Sequence, residues 1–138
     1  MTKIIDKDRF YYNPEFLRSA SGRSVRILSE YYGPLQRMQR KRISDTIVFF
    51  GSARILACEV AQEALDNAPK DSDKQSLKRL KMDLKMSRYY EDARTLAGKF
   101  TKWSKGLKGT KHRYIICSGG GPGIMEASNR GASEAGGV

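Results

Sequence analysis

An α/β fold built on a parallel sheet is what this sequence predicts, and three observations carry the expectation. Thr46 to Phe50, "TIVFF", is a β-branched and aromatic run too short for a helix that halts at Gly51. "YIICSG", from Tyr114, is a second such run, and it drops into the consecutive glycines Gly119, Gly120 and Gly121. Helix-type patterns fill the interval between them. Continuous rather than alternating apolar strands suit a sheet covered by helices on both faces.

The elements follow in order. In "NPEF", Asn13 is a plausible N-cap, Pro14 takes the first helical position and Glu15 meets the positive end of the helix dipole. Gly22 interrupts this short helix. Val25, Leu28, Tyr31 or Tyr32, Leu35 and Met38 then recur at near-helical spacing up to "RMQRKR", and Gly33–Pro34 should break that pattern into two pieces. After the first strand, residues 55 to 67 read as a helix, and "APKDSDK" as a linker with capping aspartates. Leu77, Leu80, Leu84, Tyr90, Ala93, Leu96, Ala97 and Phe100 mark one long amphipathic helix, with Lys and Arg on its other side. "SKGLKGTKHR" is a basic loop before the second strand.

Composition narrows the function classes. With 138 residues there is room for one modest domain, and 30% charged against 39% hydrophobic residues predicts exposed charged helices around a small core. The net charge of +11 favours anionic partners, but it is spread along the chain without a compact basic block, so solvated helix faces are expected and a nucleic-acid partner is not. A basic RNA-binding helix is the lesser reading of the long helix. Cys58 and Cys117 are far apart, and the single His112 completes no metal-ligand spacing. No signal peptide or membrane-length apolar run occurs, so a reduced, cytoplasmic protein is expected, without membrane contact.

The chemistry is expected where the two strands end. In an open parallel sheet the carboxyl ends of the strands face the ligand crevice, so Gly51–Arg54 and Ser118–Ala127 would form two walls of one site if the strands are neighbours. Gly119, Gly120 and Gly121 permit a tight turn and let backbone N–H groups approach phosphate oxygens. Pro122 can start the following helix without wasting a donor, and the free amides of its first turn attract an anion. Ser52 and Ser118 can add hydroxyl hydrogen bonds. Arg54 and Arg130 are as readily surface residues as phosphate partners. Glu126 either serves the helix dipole or touches a ligand, and Cys117 reads as a small buried hydrophobe. Ile124 stands where the dinucleotide motif GxGxxG needs its last glycine, and the P-loop GxxxxGK[ST] is absent. Generic phosphate cradling is what survives.

These residues resemble a family. "TIVFFGSAR", followed by "SGGGPGIMEASNRGASEAGG", is similar to the Lonely Guy (LOG) group of Rossmann-like nucleotide hydrolases, often mislabelled lysine decarboxylases, and in particular to longer bacterial members with extra N-terminal helices. The resemblance covers roughly residues 14 to 138. It implies residues 1–44 as an N-terminal helical extension and 45–138 as the first part of a Rossmann-like nucleotide-binding domain, here with only its first two strands. It further implies cleavage of the N-glycosidic bond of a nucleoside 5′-monophosphate, such as AMP or a cytokinin riboside monophosphate, to a free base and ribose 5-phosphate. No metal or redox cofactor is implied, and members are usually dimers or larger.

Carried over by position, Gly51 and Ser52 match the first-strand loop, and Gly119, Gly120, Gly121, Met125 and Glu126 match the loop and helix start beside the nucleotide, with Ser118 leading in. The other family signature, PGGxGTxxE, which carries most of the phosphate grip and the catalytic glutamate, does not occur. The resemblance therefore implies a chain continuing past "EAGGV" into a third strand, an N-terminal portion that lacks catalysis by itself. Two other classes stay open: a non-catalytic nucleotide or molybdenum-cofactor binding module of the same superfamily, and a basic nucleic-acid-binding protein.

Overall fold

The computed structural model describes residues 9–69, 72–109 and 112–137. It divides into two units, Met1–Lys41 and Arg42–Val138.

In the first unit a 3-10 turn at Phe10–Tyr12 leads into α1, Pro14–Arg18. Asn13 caps α1 as its sequence suggests: Oδ1 accepts from the amides of Glu15 (3.0 Å) and Phe16 (3.1 Å). Gly22 is buried where a Cβ would lie 2.3 Å from the Phe16 carbonyl oxygen, so only glycine admits this corner. Arg26 locks it by donating to the carbonyls of Leu17 and Ser19.

α2, Arg23–Arg40, then runs unbroken through Gly33 and Pro34, correcting the expected division into two pieces. Pro34 removes one donor, yet the usual clash of its ring with the preceding side chain vanishes because residue 33 has no Cβ. Nothing lies within 4 Å of where that Cβ would be.

In the second unit β1 (Thr46–Phe49) and β2 (Ile115–Ser118) pair in parallel, with Thr46 opposite Ile115 and Phe49 opposite Ser118. Pairing begins earlier, since Ile43 bridges to His112 and the Ser44 amide donates to the His112 carbonyl at 2.8 Å. The helices are α3 (Cys58–Asp66), α4 (Lys74–Lys105) and α5 (Ile124–Glu134). α3 begins later than residue 55, because Ile55 to Ala57 are non-helical and Ala57 is its extended N-cap. α4 begins where Asp73 Oδ1 accepts the Ser76 amide at 2.7 Å.

The sheet is covered differently from the expectation. Along β1, Ile47 and Phe49 are half-buried while Thr46 and Val48 are exposed, and the following Phe50 is 87% exposed. Only α4 and α5 pack on the strands, and they also pack on each other, whereas α3 packs on α4. The continuous apolar run of β1 thus buries one face more than the other, with Val48 exposed, while all four residues of β2 are half-buried.

The core is small. Ala57, Tyr90 and Ala127 form its centre, with Ile55 and Ala93 against it, and Tyr90 is its largest buried side chain. Around it α4 and α5 cross through small residues. Ala97, Thr101 and Ser104 of α4 and Ala127, Ser128 and Gly131 of α5 are buried, and a Cβ on Gly131 would meet the Arg94 carbonyl oxygen at 1.9 Å. Leu96, placed by its spacing on the apolar stripe, is 47% exposed instead.

Ion pairs join the three helices. Arg94 binds Glu134 (2.6 Å) and Glu91 (3.3 Å), and Arg130 binds Glu59 (2.7 Å) and Glu134 (3.3 Å). These side chains are a quarter to a half exposed, so the network contributes orientation more than stability. α5 ends at Gly136, φ 71°, with the Gly136 amide donating to Ser133 and the Gly137 amide to Ala132, the paired bonds of a Schellman motif.

Candidate functional site

Because β1 and β2 are parallel neighbours, the loops after Phe49 and after Ser118 emerge side by side. They are fastened to each other. The Ile124 amide donates to the Ser52 carbonyl at 3.1 Å, and Gly123 adopts φ 74° where a Cβ would lie 2.2 Å from that same oxygen. Gly51 makes the reciprocal accommodation, since a Cβ there would sit 2.8 Å from the Ile124 Cβ. Any side chain at 51 or 123 pushes the loops apart.

The triple glycine divides its work. A Cβ on Gly121 would lie 2.6 Å from Met125 Cε, so Gly121 makes room for the methionine, whereas one on Gly119 would rest in contact with Met125 Sδ at 3.4 Å. Gly120, at φ 71°, has nothing within 4 Å of its Cβ position and is the residue open to a ligand. The sequence suggested backbone cradling by all three. In the structure Gly121 seats Met125 beside the open Gly120, because α5 enters close above the loop.

Ser118 is committed to the loop. Its hydroxyl donates to Asn129 Oδ1 at 3.0 Å and accepts the Gly120 amide at 3.2 Å. Ser52 Oγ accepts the Arg54 amide at 3.2 Å. Both hydroxyls brace turns, which sets the direction of the backbone amides around them. Asn129 was not foreseen, because its partner lies eleven residues earlier and depends on how α5 folds back over β2. Ile124, the spacer that excluded the dinucleotide motif, proves to be the contact between the loops.

Pro122 does not start the helix as its position suggested. Gly123 is the N-cap and Ile124 the first helical residue, since the close approach to Ser52 demands a backbone only glycine adopts readily. With the Ile124 amide bonded to Ser52, the Met125 and Glu126 amides have no acceptor among the described residues. Glu126 lies in the first turn of α5 and is exposed.

Two nearby candidates are accounted for. Arg130 is held by Glu59 and Glu134, and it retains its proton more firmly than an ordinary arginine, first through the Glu59 hydrogen bond and then through Tyr90. It is a strut between α3 and α5. Glu59 correspondingly ionises at lower pH than usual because of Arg130. Arg54 is exposed, with no side-chain partner among the described residues. Cys117 is half-buried rather than buried, like the rest of β2, and Cys58 is exposed.

A cavity of about 370 Å³ lies at the opposite end of β2, lined by Lys105, His112, Arg113, Ile115 and the C-terminal turn of α5. It includes none of the loop residues. Among the described residues no cluster of three His, Cys, Asp or Glu is placed to hold a metal, and no helix is long and apolar enough to cross a membrane.

The arrangement offers an anion the unpaired amides of Met125 and Glu126 at a helix start and an open glycine turn, with the Glu126 carboxylate in that same first turn. No family model matches this chain, and neither a curated protein nor a solved structure matches it.

Proposed function

We propose that this chain forms one wall of a nucleoside 5′-monophosphate site in a Rossmann-like N-glycosidase similar to the Lonely Guy group, acting in the cytoplasm as part of a homo-oligomer. The observation that carries the reading is the fastening of the Gly51–Ser52 turn to the Gly119–Ile124 turn through Gly123, which leaves the Met125 and Glu126 amides without acceptors among the described residues at the end of a parallel strand pair. The sequence pattern through those same residues is its second support.

In this reading the phosphate takes the Met125 and Glu126 amides at the positive end of α5, with Gly120 giving it access. Met125 offers an apolar, polarizable surface to the base or ribose. Glu126 lies beside the ribose as a binding residue, and the C1′–N bond breaks, with a water oxygen taking the place of the base, only where a PGGxGTxxE segment supplies the catalytic glutamate. Since PGGxGTxxE is missing from residues 1–138, we expect binding without turnover from this polypeptide.

Calorimetric titration with AMP checks the first half, and an adenine-release assay the second. Saturable AMP binding that Gly123→Ala weakens at least tenfold, with no release of adenine, is the expected pattern. Absence of AMP binding overturns the site, and adenine release by this polypeptide overturns the division of labour.

A further inference from the structure

We propose that the first half of α4 is a docking face for the phosphate backbone of duplex DNA, independently of the nucleotide reading. Lys74, Lys78, Lys81, Lys85 and Arg88 succeed one another at intervals of four, three, four and three residues. At 100° and 1.5 Å per residue they fall within about 40° of one line and span about 21 Å. This alignment exists because residues 74 to 105 form one unbroken helix.

All five are exposed. None forms an ion pair among the described residues; Arg88 donates instead to the Tyr89 hydroxyl at 2.8 Å and lies over that ring. The buried residues of α4, Ser87, Tyr90, Ala97, Thr101 and Ser104, occupy the opposite side. Asp92, five turns after Lys74 on the same line, ends the file.

The file works against the helix that carries it. Each neighbouring pair is a like-charge contact at helical spacing, which is destabilising, and Lys74 sits at the first helical position where the dipole disfavours a cation. Among the described residues only Asp92, beside Arg88, offsets any of these contacts, whereas a polyanion laid along the file neutralises all of them together. A lipid surface requires an apolar face beside the charges, and α4 turns its apolar face to α3 and α5. A regular row of equal charges on a straight rod suits an anion that repeats as regularly, which a duplex provides.

The test is fluorescence anisotropy of a labelled 20-base-pair DNA duplex with the whole chain, between about 50 and 200 mM NaCl. Each neutralised phosphate contributes about −0.9 to the slope of log K against log salt, so four lysines account for about 150-fold over that range. The variant Lys74→Gln/Lys78→Gln/Lys81→Gln/Lys85→Gln, whose glutamines keep helix propensity, is expected to lose at least tenfold affinity at 50 mM and most of the slope, with unchanged helical circular dichroism. The control Arg23→Gln/Arg37→Gln/Arg40→Gln/Lys41→Gln removes as much charge elsewhere and is expected to keep its slope within about one. No binding at 50 mM salt, equal losses in both variants, or tighter binding to phosphatidylserine vesicles than to DNA overturns the proposal.

Discussion

Beyond residue 96, α4 meets α5 through Ala97, Gly98, Thr101 and Ser104, so closely that a Cβ on Gly98 would stand 3.3 Å from the Gly131 carbonyl oxygen. Before residue 86 the same helix presents Leu77, Leu80 and Leu84, and none of these larger side chains is fully buried. Burial in this fold follows how near two backbones come, not how large the side chains between them are. Small residues let α4 and α5 touch over a long line, whereas Leu77, Leu80 and Leu84 each keep part of their surface in solvent.

Substitutions can break this contrast. The largest effect is expected for Tyr90→Ala, which empties the centre of the core and should cost ~3–5 kcal/mol in urea unfolding, as for other large aromatics. Gly131→Ala should follow at about 1–3 kcal/mol, because the added Cβ meets the Arg94 carbonyl and has nowhere to move. Leu80→Ala should cost less than Tyr90→Ala, about 1–2 kcal/mol, in keeping with a side chain that is only partly buried. A loss at Leu80 as large as that at Tyr90 would mean the two halves of α4 are equally buried.

Tyr90→Phe should change stability by less than about 1 kcal/mol, with a gain the expected sign. The Tyr90 hydroxyl is buried near the Arg130 guanidinium, yet it meets no hydrogen-bond partner among the described residues. A clear loss in the phenylalanine variant would show a bond to that hydroxyl, tying the core to the ion-pair network.

The smallest expected effect is on pH dependence. Arg94 holds Glu134, and Arg130 holds Glu59, below the ordinary carboxylate value of 4.5. Lowered folded-state values stabilise the fold above the unfolded value, and that contribution disappears as pH falls through the folded ones. Melting temperature should therefore drop as pH falls below about 4.5, with a shallower drop in Glu134→Gln, measured by circular dichroism. Identical profiles for the two proteins would remove Glu134 from the stabilising network.

Much of the local structure was legible. Asn13 and Pro14 announced α1 because capping chemistry is local, and the strands were visible in "TIVFF" and "YIIC" because nothing else that short is so apolar. The unbroken α2 was not legible, since a proline usually signals a break and its tolerance hangs on the missing Cβ of Gly33. Nor was the uneven burial of β1, because a continuous apolar strand reads the same whether one face or two are covered.

The candidate site shows the same division. Sequence alone determined that one glycine follows the first strand and three follow the second, and that Glu126 lies in the first turn of the following helix, because strand ends and turns are written in a few adjacent residues. Tertiary structure alone decided that Gly51 and Gly123 hold two loops together, that Gly121 seats Met125, and that Gly120 stays open. The reason is steric: a missing Cβ means nothing until another part of the chain arrives to fill the space, and which part arrives is settled only when β1 and β2 pair and α5 folds across them.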